Sequence, residues 1–434
     1  MKNLVKWRYG YRLAAFFTAS AVAMAAPVNA FAATKDHPDD NYTDNADVQI
    51  RDYKKDMSPE FAYSEDKWAA LRDNVMEYEE LADLIHEYNP TVRSNRSSYN
   101  DLKGKSSNDI SLELMDDAQD VWDDAEDMKD LANDLKDMLD STSYMPQLAA
   151  VAGSYGTALL GAANLNFSGN TLEKLADNNF EDADMEKIKY DQTEANLVYQ
   201  AQQLMATYEQ AQYNMETLLS AKENTQKAYE ATVARQSVGL ATQQNVLDAL
   251  KQVQDQEASI RSAQKSADNV HRTLCLMLGW QADAQPEIMA VPDPEFDRID
   301  TLDPNSDLEQ AYANNYDIRY NEKKLGNLTS ADLIESTKAS IEDNRNSVAS
   351  SIKSQYNKIL VARDAYNTAV MNLQVADENL REAEVQRSVG SITDLQYLQI
   401  KATDLSAKNE LENVRLQLRL AMETYDWIVK GLTL

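Results

Sequence analysis

Two glycines, Gly239 and Gly390, do more than any other residues to limit what this chain can fold into. Each interrupts a long stretch free of helix breakers: Asn170 to Val238 and Leu240 to Leu278 flank the first, Asn327 to Val389 and Ser391 to Lys430 the second. The surrounding sequences match, Gln236-Ser237-Val238-Gly239-Leu240-Ala241-Thr242 against Arg387-Ser388-Val389-Gly390-Ser391-Ile392-Thr393. Glycine takes the left-handed position after a helix at no steric cost, and a threonine three residues on can cap the returning helix. At Thr393 a full capping box is expected, with Gln396 at the third helical position. The pattern predicts a helical hairpin used twice.

A second pair of matching segments lies upstream. Tyr88-Asn89-Pro90-Thr91-Val92-Arg93 pairs with Asn314-Asn315-Tyr316-Asp317-Ile318-Arg319 at an offset of 226, whereas the glycine turns are 151 apart. The copies therefore differ by 75 residues, through an insertion in the first half or a deletion from the second. Heptad seams run along the helical stretches: Leu114, Ala118, Val121, Ala125, Met128, Ala132, Leu135 and Leu139; Leu197, Ala201, Leu204, Tyr208, Ala211, Met215 and Leu218; Ile359, Ala362, Tyr366, Ala369, Leu373, Ala376, Leu380 and Ala383. Alternation of large residues with Ala lets helix axes approach closely. Sixty residues of helix would extend roughly 90 Å, too long to fold into one globule. A single pair of hairpins leaves much of its seam uncovered, so oligomerisation is implied.

The expected organisation is a signal peptide at 1–32, an acidic arm at 33–63, a first repeat at 64–280, a Pro-rich linker at 281–306 and a second repeat at 307–434. Lys2, Lys6, Arg8 and Arg12 precede the apolar run Leu13 to Ala26, and Ala30-Phe31-Ala32 has a small-x-small cleavage pattern. Cleavage there would take the formal charge from −30 to −34. Such a charge excludes a general nucleic-acid binder, since neutralising phosphates needs Lys and Arg. The acidic residues from Asp116 to Asp140 read as a solvated helix face, because calcium-loop spacing is missing. The sole cysteine, Cys275, cannot form an internal disulfide and reads as a small core residue. His37, His86 and His271 show no metal-ligand spacing, and no phosphate loop or nucleophile elbow occurs. An enzyme is not expected, and neither a cofactor nor a metal is implied.

One segment has a different character. No charged residue occurs between Asp140 and Glu173, and Pro146, Gly153, Gly156 and Gly161 interrupt an apolar stretch over 144–167 that includes Leu148, Val151, Leu159 and Leu160. This insert is a distal tip that either packs on neighbouring subunits or contacts a membrane.

These features together resemble the TolC-like outer-membrane efflux family, over about Glu79 to Lys430. Its members carry two repeats, each opening with a segment like Asn-Pro-x-Val-Arg and containing a turn like x-Val-Gly-Leu-x-Thr followed by Asp-Val-Leu-Asp-Ala. Here the first repeat reads Val238-Gly239-Leu240-Ala241-Thr242 and then Asn245-Val246-Leu247-Asp248-Ala249; the second reads Val389-Gly390-Ser391-Ile392-Thr393 and then Gln396-Tyr397-Leu398. Leu276 to Gly279 supplies the family's Leu-x-Leu-Gly ending. The resemblance implies an all-α, coiled-coil homotrimer forming an α-helical barrel in the cell envelope. It further implies an exit duct for a tripartite efflux or type I secretion system, partnered by a periplasmic adaptor protein and an inner-membrane transporter. The positions carried over for the adaptor contact are Val238, Gly239, Leu240, Thr242, Val389, Gly390, Ser391 and Ile392.

The sequence departs from the family twice. Members narrow the tunnel near the turns with acidic rings; here Asn245, Asp248, Asp394, Gln396 and Gln399 stand near those positions. Members also cross the outer membrane with a strand hairpin in each repeat, between the Arg93-like and Gly239-like motifs. Arg319 to Gly390 reads as helix throughout and leaves no room for one, and the glycines and alanines of 144–167 do not alternate as membrane strands do. A member with little or no β structure is expected. The rival readings are a secreted α-helical pore-forming toxin, with 144–167 entering a target membrane, and a structural coiled-coil surface protein.

Overall fold

The computed structural model describes residues 63–141 and 145–434, and most of them are helical. The expected signal peptide and all of the expected arm except Tyr63 lie outside the described residues. The first repeat holds α1 (Glu65–Leu71), strand β1 (Val75–Met76), a 3-10 turn (Tyr78–Glu80), α2 (Leu81–Tyr88), α3 (Pro90–Leu102), α4 (Ser107–Ser141), α5 (Met145–Asn178), α6 (Ala183–Ser237) and α7 (Gln243–Met277). The connection carries β2 (Glu287–Ile288) and α8 (Phe296–Ile299); the second repeat holds α9 (Leu308–Asn314), α10 (Tyr316–Asn327), α11 (Ala331–Ser388) and α12 (Asp394–Lys430). The only strand pairing among the described residues is parallel, Val75 opposite Glu287 and Met76 opposite Ile288. The 281–306 linker is thus partly fixed to the first repeat. Val291 is buried, and its N–H donates to Glu209 Oε2 at 2.6 Å.

The repeat has a shared structural anchor. Asn89 caps α3 by accepting from Thr91 and Val92 N–H, and its amide donates to the Met277 carbonyl at 2.9 Å. Asn315 caps α10 by accepting from Ile318 N–H, and its amide donates to the Gly431 carbonyl at 3.1 Å. In both repeats one side chain therefore starts a short helix and ties it to the end of the returning long helix. Those long helices end alike, on left-handed Gly279 and Gly431. A Cβ at Gly279 would overlap the Cβ of Tyr88, and one at Gly431 would overlap the carbonyl of Asn314, the residues just before the two asparagines. Two apolar cores surround these anchors. Leu81, Leu84, Ile85, Tyr88, Met205 and Leu274 belong to one; Ile299, Ile318, Ile352, Leu418, Tyr425 and Ile428 belong to the other. Full burial of each such side chain contributes about 1.5–3 kcal/mol.

The 75-residue difference between repeats is a complete helical hairpin. In the second repeat α10 passes to α11 through three residues; in the first, α4 and α5 stand between α3 and α6. The two joints touch, with the Asn327 amide donating to the Phe180 carbonyl and to Asp182, each at 2.9 Å. The apolar stretch is helix, not a run of breaks. Pro146 sits in the first turn of α5, where no intrahelical N–H is required. Gly161 faces Met128 and Gly169 faces Trp122, so both serve close contact with α4. The expected seam of α4 is confirmed by buried Ala118, Ala125 and Ala132.

The four long helices of the body lie in the order α7, α6, α12, α11, with α6 packed on α12 at the centre. That central contact is antiparallel: Trp427 donates to Gln202 at 2.6 Å, and Asn409 donates to the Tyr213 carbonyl at 2.7 Å. Buried Arg415 of α12 locks it further, pairing with Glu209 at 2.6 Å and Glu412 at 2.7 Å while donating to the Val291 carbonyl.

Candidate functional site

Because α6 runs into the first glycine turn and antiparallel α12 runs out of the second, both turns lie at the same end of the body. They are built alike. Gly239 N–H donates to the Gln236 carbonyl and Leu240 N–H to the Arg235 carbonyl; Gly390 N–H donates to the Arg387 carbonyl and Ser391 N–H to the Gln386 carbonyl. This paired bonding satisfies the last free carbonyls of α6 and α11 and needs a left-handed residue, supplied by Gly239 at φ 78° and Gly390 at φ 74°. Thr242 and Thr393 then cap α7 and α12, and both caps are full boxes.

The first box closes through Asn245, which the sequence does not advertise as a box residue. Its Oδ1 accepts from Thr242 N–H at 2.9 Å, as Gln396 Oε1 accepts from Thr393 N–H at 2.9 Å. Two of the five polar residues singled out near the tunnel positions thus hold their own helix ends. Asp394 pairs with Arg387 Nε at 2.8 Å, Asp248 accepts from Gln244 at 2.8 Å, and Gln399 is exposed. Arg387 also lies over the Tyr397 ring, 4.4 Å from its centre, which braces the second turn across its width. Sequence reasoning missed Arg387; the signal was a cation in the last helical turn facing an aromatic in the first turn of the next helix.

The turns present three large aliphatic side chains outward among small polar ones. Val238 is 69 % exposed, Leu240 71 % and Val389 73 %, while Ile392 is half-buried and Gly239, Thr242, Gly390 and Ser391 are exposed. Small rigid loops with exposed aliphatic groups suit coverage by another helix and offer no chemistry of their own. Among the described residues no group of three or more His, Cys, Asp or Glu could hold a metal ion. At the opposite end, Leu159 and Leu160 of α5 are exposed. Leu148 and Val151 fall within α5, but their side chains lie outside the described ones. No described helix is long and apolar enough to cross a membrane.

No protein-family model matches the chain, and no curated protein matches it in sequence. Several solved outer-membrane channels are similar to it in structure. CusC is 10 % identical with a TM-score of 0.47, over 82 % of this chain and 95 % of that one. The Campylobacter jejuni CmeC outer membrane channel is 11 % identical with a TM-score of 0.45, over 57 % and 65 %. The outer membrane protein VceC of Vibrio cholerae is 14 % identical with a TM-score of 0.41, over 61 % and 76 %.

Proposed function

We infer that this chain is the non-enzymatic exit-duct component of a tripartite efflux or type I secretion system in the cell envelope. Three copies close into a helical tube, and the six glycine turns at one end dock on the helical hairpins of an adaptor protein that in turn engages an inner-membrane transporter. The observation that carries this reading is the duplicated turn. The same doubly bonded glycine, the same threonine-started box and an outward valine before the glycine, Val238 and Val389, occur twice, at one end of two hairpins packed side by side. A single-copy spacer has no need of that duplication.

The edges of the body support ring closure. α11 has a second heptad line on its exposed side, including Val361, Asp364, Met371, Val375, Glu378 and Val385. α7 has one too, running through Leu247, Lys251, Gln254, Ala258, Arg261, Lys265, Asp268 and Arg272, basic on balance with four cations to one carboxylate. An apolar and acidic edge facing an apolar and basic edge is a head-to-tail contact, which generates a ring when the rotation closes. The turn residues Asp248, Asp394 and Gln399 then stand where the tube is narrowest, with Asn245 and Gln396 fixing the helix ends behind them.

The test uses the chain exported with its leader removed. Light scattering should give the mass of three copies, adaptor and transporter genes should lie beside this one, and the isolated helical hairpin of that adaptor should bind the chain. Combined Leu240→Asp and Val389→Asp substitutions should leave the mass unchanged and remove hairpin binding. A monomeric mass would sink the reading, as would undiminished binding by the double variant. Dye release from lipid vesicles by the purified chain would favour the toxin alternative, for which exposed Leu159, Leu160 and Phe167 of α5 are the structural argument.

A further inference from the structure

The α4–α5 hairpin packs on itself and makes no comparably extensive contact with the rest of the body, so it projects from the end opposite the glycine turns. Each helix is about 50 Å long, and their two outer surfaces differ sharply. α5 buries Ala158, Ala162, Gly169 and Ala176 against α4. On its opposite face Thr157, Leu160, Asn164, Phe167 and Thr171 follow one another at spacings of three and four, all exposed, with Leu160 at 68 % and Phe167 at 75 %. A helix with heptad seams on opposite faces is one built to pack on two partners. α4 has an outward line at the same spacing, but Asp116, Asp120, Asp123, Asp127, Asp130 and Asp134 fill it, all exposed.

We propose that the outward seam of α5 packs on the same seam in the other copies of this chain, gathering the end of the tube opposite the glycine turns into an apolar helical bundle with α4 facing solvent. The proposal rests on the three-copy reading above. The occupant follows from charge. Turned inward, three aspartate lines would face one another at helix-packing distance, where like charges repel strongly. From Thr157 to Thr171 the α5 seam carries no charge, the next position being Lys174 near the helix end, and its small and amide side chains suit helix contact: Asn164 between Leu160 and Phe167 is the kind of polar seam residue that sets register between like helices. Burial in hydrocarbon would leave that amide unpartnered, and no described helix has the apolar length to span a bilayer.

The experiment places single cysteines in the full chain with Cys275→Ala as background. Phe167→Cys should cross-link copy to copy with a short bis-maleimide, giving a covalent dimer band from most molecules, while Asp127→Cys should give at least tenfold less. Phe167 and Asp127 are both exposed, and light scattering reports the assembly in each variant and in the Cys275→Ala background, where a buried core residue is changed. A three-copy mass with no Phe167→Cys cross-link, or with Asp127→Cys cross-linking better, overturns the proposal and leaves the tube reading standing. A monomeric mass overturns both. Retention of Phe167→Cys cross-linking when anionic vesicles are added supports the bundle; its loss, with the chain floating on the vesicles, identifies a lipid contact and overturns it.

Discussion

The two poles of this molecule are made by different means. At the glycine pole the repeats agree bond for bond, with Ser, Val, Gly and Thr shared between the two turns, and each turn is built from a few neighbouring residues. At the other pole they disagree by a whole hairpin, α4–α5, present in one repeat and replaced by three residues in the other. Between the poles, the Asn89 and Asn315 anchors repeat faithfully although their partners are distant in sequence. A symmetric pole suits a function performed identically by each hairpin. The lopsided pole tolerates change because the insertion enters at a joint and does not disturb either anchor.

Substitutions can sharpen that contrast. The largest effect is expected at Arg415, where the repeats meet. Arg415→Met leaves Glu209 buried without its cation and should cost about 3–5 kcal/mol in denaturant unfolding. Next come the anchor glycines: Gly279→Ala and Gly431→Ala combine an unfavourable backbone conformation with overlap on Tyr88 or Asn314, and should cost about 2–5 kcal/mol. Asn315→Ala and Asn89→Ala lose a cap and an interhelical bond together, about 2–3 kcal/mol each. At the tip, Gly239→Ala and Gly390→Ala meet open space and should cost only the left-handed penalty, about 1–2 kcal/mol. Equal losses at tip and anchor glycines would show that the two positions are not distinguished by packing. The smallest effect is expected from excising residues 105–179, which equalises the repeats: the melting temperature of the remaining body should hold, with helix content falling by the share of α4–α5. A collapse of the body on excision would show the hairpin to be part of the core.

The turns, the long helices and the size of the insertion were all legible in the sequence, because each depends on local chemistry: a glycine where φ must be positive, a threonine where a cap is needed, apolar spacing along one face. The glycines of the insert were not, since a glycine serving as a surface for Trp122 or Met128 looks in sequence like one that breaks a helix. The Asn245 box escaped because its short amide is an unusual choice for that position. The start of the first repeat divides into α1, β1, a 3-10 turn, α2 and α3, a break-up with no local sequence signal, because Met76 and Tyr78 are drawn into the anchor core and β1 is paired by β2 from far along the chain. Cys275 is buried as expected; burial pushes its thiol up to about 11, which keeps it unreactive near neutral pH.

The most direct measurement is electron microscopy of the detergent-free mature chain, viewed down the long axis. Three-fold averages with twelve helices around an open centre, two hairpins per copy, are predicted. Isolated single copies, or a rod filled to its axis along the whole length of the four body helices, would contradict the account.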